Sequence, residues 1–423
     1  MICFYIESYG CSTNLSESEV MAGLLEQYEF KQVENAEDAY LLIVNVCTVK
    51  GDYGAIKHVK VLHEQFPHKK IVVSGCLTKE VVKEVKQICG DASFISTHNI
   101  KEIVSVVEET INDNPVEVLT YNADVKINLP RVRKNKIISI IPILSGCNGS
   151  CSYCSVHKVK GKLVSYPIED IVSEARRAII KGCKEIWITS QDNACYGLDN
   201  NENKLVELLN QILKIVGNFR VRLGMMNPNN VLPIMDDLIK VYTHEKMFKF
   251  LHLPLQSGDD GILKKMKRDY MTGEFKKVIE NFRDKIPEIT IATDIIIGFP
   301  SESRNQFSNT VDLIKWINPD VLHISRFRAR ENTLAKKMDE QIESAEAKNR
   351  SALITSIFHN IAYMRNERWY NWKGTVIVDE QGINGTWVAR NYAYKPIVLE
   401  GNYELGQKVD IKISKITKFD LRA

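Results

Sequence analysis

Apolar positions in the N-terminal quarter of the chain switch between two periods. Short runs at Ile2 to Glu7, Ala39 to Val46 and Lys70 to Ser74 predict strands. Between them, Ser16 to Tyr28, Tyr53 to Gln65 and Thr78 to Cys89 repeat at helical spacing, the first with Asn14 or Ser16 near its cap. Such alternation implies a parallel sheet with helices on both faces. Ile111 to Lys136, with Pro115, Pro130 and a basic run, predicts a connector. From Ile137 the rhythm restarts. Ile137–Leu144, Glu185–Thr189, Arg220–Met225, Phe250–Leu255, Thr290–Ile297 and Asp320–Ser325 predict strands, with helical stretches such as Ile168–Lys181, Lys204–Ile215 and Gly273–Lys285 between them. Six such units predict a partial, open (β/α)6 barrel, whose active residues lie at the C-terminal ends of the strands. A charged helical segment, Ala335 to Asn366, follows. Gly374–Asp379, Gly382 to Val388, Pro396–Glu400 and Lys408–Ile416 then predict a small antiparallel β-barrel. The expected class is α/β, divided as an N-terminal parallel α/β sandwich (1–115), a basic linker (116–136), the partial barrel (137–366) and the C-terminal barrel (367–423).

Composition changes this picture little. The apolar runs are too short to span a membrane, and the N-terminus has no basic flank or cleavage signal. The expectation is a cytoplasmic protein whose ten cysteines are reduced thiols or metal ligands. A net charge of +3 argues for no partner by itself, but its distribution is uneven. Between Asp124 and Glu169 there is no acidic residue, while Lys126, Arg131, Arg133, Lys134, Lys136, Lys158, Lys160 and Lys162 are all basic. The two readings are a solvated basic face and a surface for a polyanion such as RNA.

That stretch encloses Cys147, Cys151 and Cys154. Three thiolates in one loop can hold three irons of a [4Fe–4S] cube and leave the fourth open to a small molecule. Zinc ribbons prefer Cys-x2-Cys pairs with a fourth ligand, which the spacing here does not provide. Cys11, Cys47 and Cys76 each follow one of the first three predicted strands. The carboxyl edge of a parallel sheet is one crevice, so three distant thiols can converge there on a second cluster. Gly10 and Gly75 allow the tight backbone this needs. Singly, each is as well read as a small buried hydrophobe, the reading kept for Cys3, Cys89, Cys183 and Cys195.

With these motifs in hand, the whole chain resembles the methylthiotransferases of the radical S-adenosylmethionine (SAM) class. The resemblance rests on Gly10-Cys11-x-x-Asn14 with Ser18-Glu19, Asn45-Val46-Cys47-Thr48-Val49, Ser74-Gly75-Cys76 and the Cys147/Cys151/Cys154 loop. It continues through Ser190-Gln191-Asp192 with Tyr196-Gly197, Leu253 to Gly258, and Thr293 to Pro300 with Glu302, and the tail resembles the RNA-binding TRAM module. Three branches are known: two act on tRNA, at isopentenyladenosine or threonylcarbamoyladenosine, and one on an aspartate of a ribosomal protein. Phe250 to Ser257, Leu163 to Pro167, Ile289 to Asp294 and Asn391 to Pro396 are similar to the archaeal and eukaryotic threonylcarbamoyladenosine branch. One departure is Lys160, which stands where an Arg usually precedes the glycine. The contact there is expected to differ, because only Arg binds in bidentate fashion.

The resemblance implies two [4Fe–4S] clusters, on Cys11, Cys47 and Cys76 and on Cys147, Cys151 and Cys154, with SAM chelating the second. The implied product is 2-methylthio-N6-threonylcarbamoyladenosine at tRNA position 37. A 5′-deoxyadenosyl radical from reduced SAM takes hydrogen from C2, and a further SAM methylates sulfur carried by the N-terminal cluster. Expected SAM contacts are Tyr153, Ser190, Gln191, Asp192, Gln256, Ser257, Asp294 and Arg326. Expected RNA contacts are Arg131, Arg133, Lys134, Lys160, Arg328, Arg330, Arg390, Tyr394 and Lys395, with Lys408, Lys412, Lys415 and Lys418 adding charge to the tail. Arg326, Arg328 and Arg330 share one face if their strand continues. The implied partners are the tRNA anticodon stem-loop and an electron donor such as flavodoxin or ferredoxin, with the enzyme a monomer. The rivals are a methylthiotransferase of ribosomal protein and a non-catalytic RNA-binding protein with structural Fe–S or zinc.

Overall fold

The computed structural model describes residues 2–47, 52–122 and 124–423; Thr48 and Val49 of the second cysteine motif lie outside them. The first sheet has six strands: β1 (Cys3–Tyr9), β2 (Lys31–Gln32), β3 (Leu41–Val46), β4 (Lys70–Gly75), β5 (Ser93–Ser96) and β6 (Glu117–Val118). Their order is β2-β1-β3-β4-β5-β6 and every pair is parallel. Helices α1 (Ser12–Gln27), α2 (Asp52–Gln65), α3 (Lys79–Ile88) and α4 (Ile103–Ile111) cover it. Side chains alternate across a strand, so β3 feeds two cores. Leu42 and Val44 meet Val59 of α2 and Val81 and Val85 of α3. Leu41 and Ile43 meet Met21 and Leu25 of α1 and Val107 of α4. Helix α1 starts earlier than expected, with Cys11 at the N-cap and Asn14 and Ser16 inside. Their side chains serve tertiary partners rather than the helix end: Asn14 Nδ2 donates to Val46 O at 3.0 Å, and Ser16 Oγ to Ile140 O at 3.2 Å.

The six barrel strands form where the apolar runs place them. They are β7 (Ile138–Pro142), β10 (Glu185–Thr189), β11 (Arg220–Leu223), β12 (Phe250–His252), β13 (Thr290–Ile297) and β14 (Val321–Arg326). Two parallel three-stranded sheets, β7-β10-β11 and β12-β13-β14, are linked through a bridge from Val221 to Met247. The first run divides at Pro142, which has no N–H to continue the ladder; Leu144–Ser145 (β8) instead pairs antiparallel with Val164–Ser165 (β9). Helices α5 (Val156–Lys160), α6 (Ile168–Ile180), α7 (Leu205–Leu213), α8 (Pro228–Val231), α9 (Met235–Thr243), α10 (Asp260–Lys265), α11 (Thr272–Lys285) and α12 (Arg304–Ile317) connect the strands. The barrel stays open, and both edges are covered. Helix α1 lies against β7, and α13 (Ser344–Glu367) packs along β14. Helix α13 starts later than the charged run suggests. Residues Ala335–Lys337 form a single 3-10 turn, held by Ala335 N donating to Ser152 O at 2.9 Å.

The C-terminal sheet comprises β15 (Lys373–Gln381), β16 (Trp387–Arg390), β17 (Pro396–Leu399), β18 (Lys408–Lys412), β19 (Lys415–Ile416) and β20 (Leu421–Arg422), ordered β18-β15-β16-β17-β20-β19. It curls around Trp369, Val376, Val378, Ala389, Ile397 and Leu399. The sheet is antiparallel, as expected, in every pair but one: β17 and β20 run parallel. Gly382 to Thr386, expected to begin a strand, forms a turn that Gly382 N closes on Thr386 O at 2.8 Å.

Candidate active site

The N-terminal cysteines meet at the carboxyl edge of the first sheet. Cys47 and Cys76 directly follow β3 and β4, and Cys11 caps α1 just beyond β1. The Cys47 thiol touches both Cys11 and Cys76. Contact with Cys47 and burial push the Cys11 thiol well up, while the Cys47 hydrogen bond and the nearby Lys160 ammonium bring Cys76 down. Gly75 makes the convergence possible. Its φ is +103°, and a Cβ there would lie 2.3 Å from Asn45 Oδ1 and 2.4 Å from Val46 O. At Gly10 a Cβ would fall 2.6 Å from the Asn14 amide, which donates to the carbonyl before Cys47.

The second trio lies on the loop after β8, at the C-terminal end of the barrel. Cys147 Sγ accepts from Gly149 N at 3.2 Å, Cys154 Sγ from Val156 N at 3.4 Å, and Cys151 Sγ from the Arg268 guanidinium at 3.2 Å. Burial raises Cys147, to about 11, and Cys154. Donors aimed at each sulfur of this loop, and thiols outside any disulfide in both trios, suit two three-thiolate cluster sites. A cleft of about 110 Å³ opens on this loop, lined also by Asp192, Asn227, Asn230 and Arg268. Arg268 was not among the residues expected from the sequence, nor were His252 and His323. The signal for Arg268 was a cation amid the polar run Lys267 to Tyr270 after α10, with nothing in sequence to tie it to Cys151.

The expected SAM contacts separate into two groups. Ser190 Oγ and Gln191 Oε1, at the end of β10, are buried without hydrogen-bond partners, as suits a polar molecule bound there. Tyr153 packs edge-on to Phe299. Asp294 Oδ2 accepts from His252 Nε2 at 2.6 Å inside the barrel, with His323 beside the pair. Gln256 has φ +66° and holds β13 through Asp294 O and Ile296 N. Arg326 is exposed at the end of β14. Two expectations need correcting. Asp192 is filled by four donors, from the Ala194 and Asn227 amides and the Asn227 and Asn230 side chains, so it shapes the cleft floor. Ser257 is fully buried against Thr310 of α12, away from the lumen.

Most expected RNA contacts prove to be internal. Arg131 pairs with Glu174 at 3.1 Å and Glu19 at 3.5 Å, and Arg133 reaches Ser139 at 3.5 Å. Lys160 is 3% exposed and bonds Glu17. Neither a solvated basic face nor an RNA surface describes these three; they seal the N-terminal domain to the barrel. Arg390 pairs with Asp379 at 2.9 Å, and Lys395 with Asp320 at 3.0 Å. Tyr394, with φ +61°, closes the foot of the barrel against Phe248, Phe250 and the Arg222 guanidinium, which also covers Trp187. The C-terminal aromatics and cations thus dock their own module. Strand β14 ends at Arg326, so the three arginines do not share a strand face; Arg330 turns back to Ser155 Oγ at 3.3 Å, beside Cys154. Lys134 and Arg328 are exposed, as are Lys408, Lys412, Lys415 and Lys418.

Known proteins match each part of this arrangement. Family models described as the radical SAM superfamily, the uncharacterized protein family UPF0004 and the TRAM domain match residues 141–314, 3–96 and 373–423. The chain is 39% identical over 398 residues to a protein of Methanothermobacter thermautotrophicus named as a probable threonylcarbamoyladenosine tRNA methylthiotransferase, covering 94% of this chain and 93% of that one. It is 35% identical to the Homo sapiens threonylcarbamoyladenosine tRNA methylthiotransferase, covering 97% of this chain and 71% of the human one. Among solved structures, the radical SAM methyltransferase TsrM from Kitasatospora setae shares the fold with a TM-score of 0.55 at 13% identity, over 79% of this chain and 74% of that one. Three thiols on a loop at the mouth of an open barrel, three more at a neighbouring sheet edge and identity of 35–39% over nearly the whole chain agree: the chain belongs to the radical SAM threonylcarbamoyladenosine tRNA methylthiotransferase family, enzymes of SAM and [4Fe–4S] clusters.

Proposed function

We propose that this protein transfers a methylthio group to C2 of N6-threonylcarbamoyladenosine at tRNA position 37. The observation that carries the reading is the pairing of two three-thiol sites at the carboxyl ends of adjoining parallel sheets, in a chain with close full-length relatives of that name. When bound, the clusters and SAM supply the radical and sulfur chemistry at a carbon no acid–base side chain could deprotonate. The chain's own residues hold and shield. Cys147, Cys151 and Cys154 would ligate one cluster, with Arg268 donating to a ligand sulfur. Cys11, Cys47 and Cys76 would ligate the other. Ser190 and Gln191 offer unpartnered polar atoms to SAM, and Tyr153 an apolar wall. His252, Asp294 and His323 line the lumen and are placed to meet the modified base. The exposed lysines of the C-terminal sheet, with Lys134 and Arg328, supply charge for the anticodon stem-loop.

The reading extends to a monomer in the cytoplasm reduced by a flavodoxin or ferredoxin; no helix among the described residues is long and apolar enough to cross a membrane. The test is mass spectrometry of tRNA nucleosides from cells with and without the gene. Loss of 2-methylthio-N6-threonylcarbamoyladenosine with accumulation of its precursor is expected. Loss of 2-methylthio-isopentenyladenosine instead would turn the assignment to isopentenyladenosine, and unchanged tRNA nucleosides in a strain lacking any second such enzyme would turn it to a ribosomal-protein aspartate.

A further inference from the structure

Beneath the N-terminal cysteines lies a buried charge cluster that the proposed chemistry does not use. Glu17 comes from α1, Thr97 from the loop after β5, Lys126 from the connector and Lys160 from the end of α5. All four are at most 6% exposed. Glu17 Oε1 accepts from Lys126 Nζ at 2.9 Å, Lys160 Nζ at 2.9 Å and Thr97 Oγ1 at 2.5 Å. Lys160 also donates to Thr97 Oγ1 at 2.6 Å, and Lys126 to Thr97 O at 2.6 Å. His98 adjoins both lysines, between the Val159 and Asn122 carbonyls, and burial lowers its pKa from the ordinary imidazole value.

Two ammonium groups against one carboxylate leave an excess of one positive charge in the interior. Such an excess is unfavourable unless an anion faces it. Thr97, which accepts from Lys160, donates its own N–H to Gly75 O at 2.8 Å, the residue before Cys76, and the Cys76 and Cys11 thiols and the Tyr166 phenol lie near the Lys160 ammonium. Lys160 is also the last residue of the short helix that begins just after Cys154. One turn and a half of chain therefore runs from the SAM-site loop to the floor of the other cysteine site.

We propose that Lys160, backed by Lys126 and Glu17, is the fixed counter-charge of the N-terminal cluster: it balances the thiolates, raises the cluster's reduction potential and ties its position to the SAM-binding loop. The inference rests on the reading that Cys11, Cys47 and Cys76 hold a cluster. Charge and hydrogen bonding around a cluster set its potential.

The test uses the full-length chain carrying C147A/C151A/C154A, reconstituted so that only the N-terminal site takes iron. Iron and sulfide content and the midpoint potential by EPR-monitored titration are read for K160M, K160R, E17Q and E17Q/K160M. The potential should track local charge. K160M falls below the parent, E17Q rises above it, and K160R and the charge-restored double variant stay near it. Should K160M fail to retain iron, recovery in E17Q/K160M supports the same conclusion, and loss in both overturns it. Equal potentials across the series, with only melting temperatures changed, would reduce Lys160 to a structural residue. Absence of iron from the parent background overturns the cluster reading itself and the inference with it.

Discussion

The two cysteine trios offer the same three donors and are assembled in opposite ways. Cys147, Cys151 and Cys154 share one loop, and each sulfur takes a donor, two from the loop backbone and one from Arg268. Cys11, Cys47 and Cys76 come from three strand ends, and their neighbours are secured by the Asn14, Asn45 and Ser18 side chains and the glycine backbone. The loop site borders an open cleft, as a site for an exchangeable small molecule needs. The sheet-edge site has Cys47 and Cys76 buried, over a buried cation pair, as a resident group suits. A loop site depends on local sequence and tolerates remote change. A sheet-edge site depends on the register of three strands and on whatever holds the domains together.

The sharpest way to break this contrast is to delete one thiol from each site. C147A should lose about half the iron and all SAM cleavage, a drop of at least ~10³-fold, because the group supplying the radical goes with it. C47A should also lose about half the iron and all methylthio product, yet still cleave SAM to 5′-deoxyadenosine. Iron analysis with nucleoside chromatography separates the two, and loss of SAM cleavage in C47A would sink the division of labour.

Backbone geometry gives the next effect. G75A must place a methyl group within 2.4 Å of Val46 O at φ +103°, and should destabilise the N-terminal domain by ~3 kcal/mol or more. G182A also has positive φ, +94°, but meets nothing within 4 Å, so it should lose only ~1 kcal/mol. Thermal melts of the two variants isolate the contribution of close approach.

Docking of the C-terminal module offers a comparison with the N-terminal seam. Asp320, whose side chain has no exposed surface, binds Lys395, Arg365 and Arg368, and these cations hold its carboxyl down at about 2 despite burial. An acid whose pKa is lower folded than unfolded stabilises the fold above its unfolded value. That contribution, about 2 kcal/mol by linkage, should fade as pH falls from about 3.8 to about 2. D320N should remove most of this acid dependence and loosen the module, seen as faster amide exchange in β17.

Smallest is the effect of the surface lysines. Replacing Lys408, Lys412, Lys415 or Lys418 singly should weaken tRNA binding modestly and lower the salt slope by about 1, with melting unchanged. R390A and K395A should do the reverse, lowering stability first, since their partners are Asp379 and Asp320. A melting loss in K412A with unchanged tRNA affinity would reverse that sorting.

Much of this molecule was legible in the chain itself. The period-2 and helical stretches determined the order of strands and helices, because burying one face demands that spacing. The run from Cys147 to Cys154 determined a metal loop, because its ligands are local. The strand-end placement of Cys11, Cys47 and Cys76 pointed to a second site, although only the parallel register of β1, β3 and β4 brings them together. What tertiary structure alone decided is the fate of charge. Sequence presents Arg131, Lys160, Arg390 and Lys395 as basic surface, for their partners Glu174, Glu17, Asp379 and Asp320 lie mostly far away along the chain. A buried cation requires a buried anion in contact, and contact between distant residues is settled by packing, not by local pattern. The same reason hid Arg268, which meets Cys151 across the barrel mouth, and placed Tyr394 in the barrel foot rather than on a nucleotide.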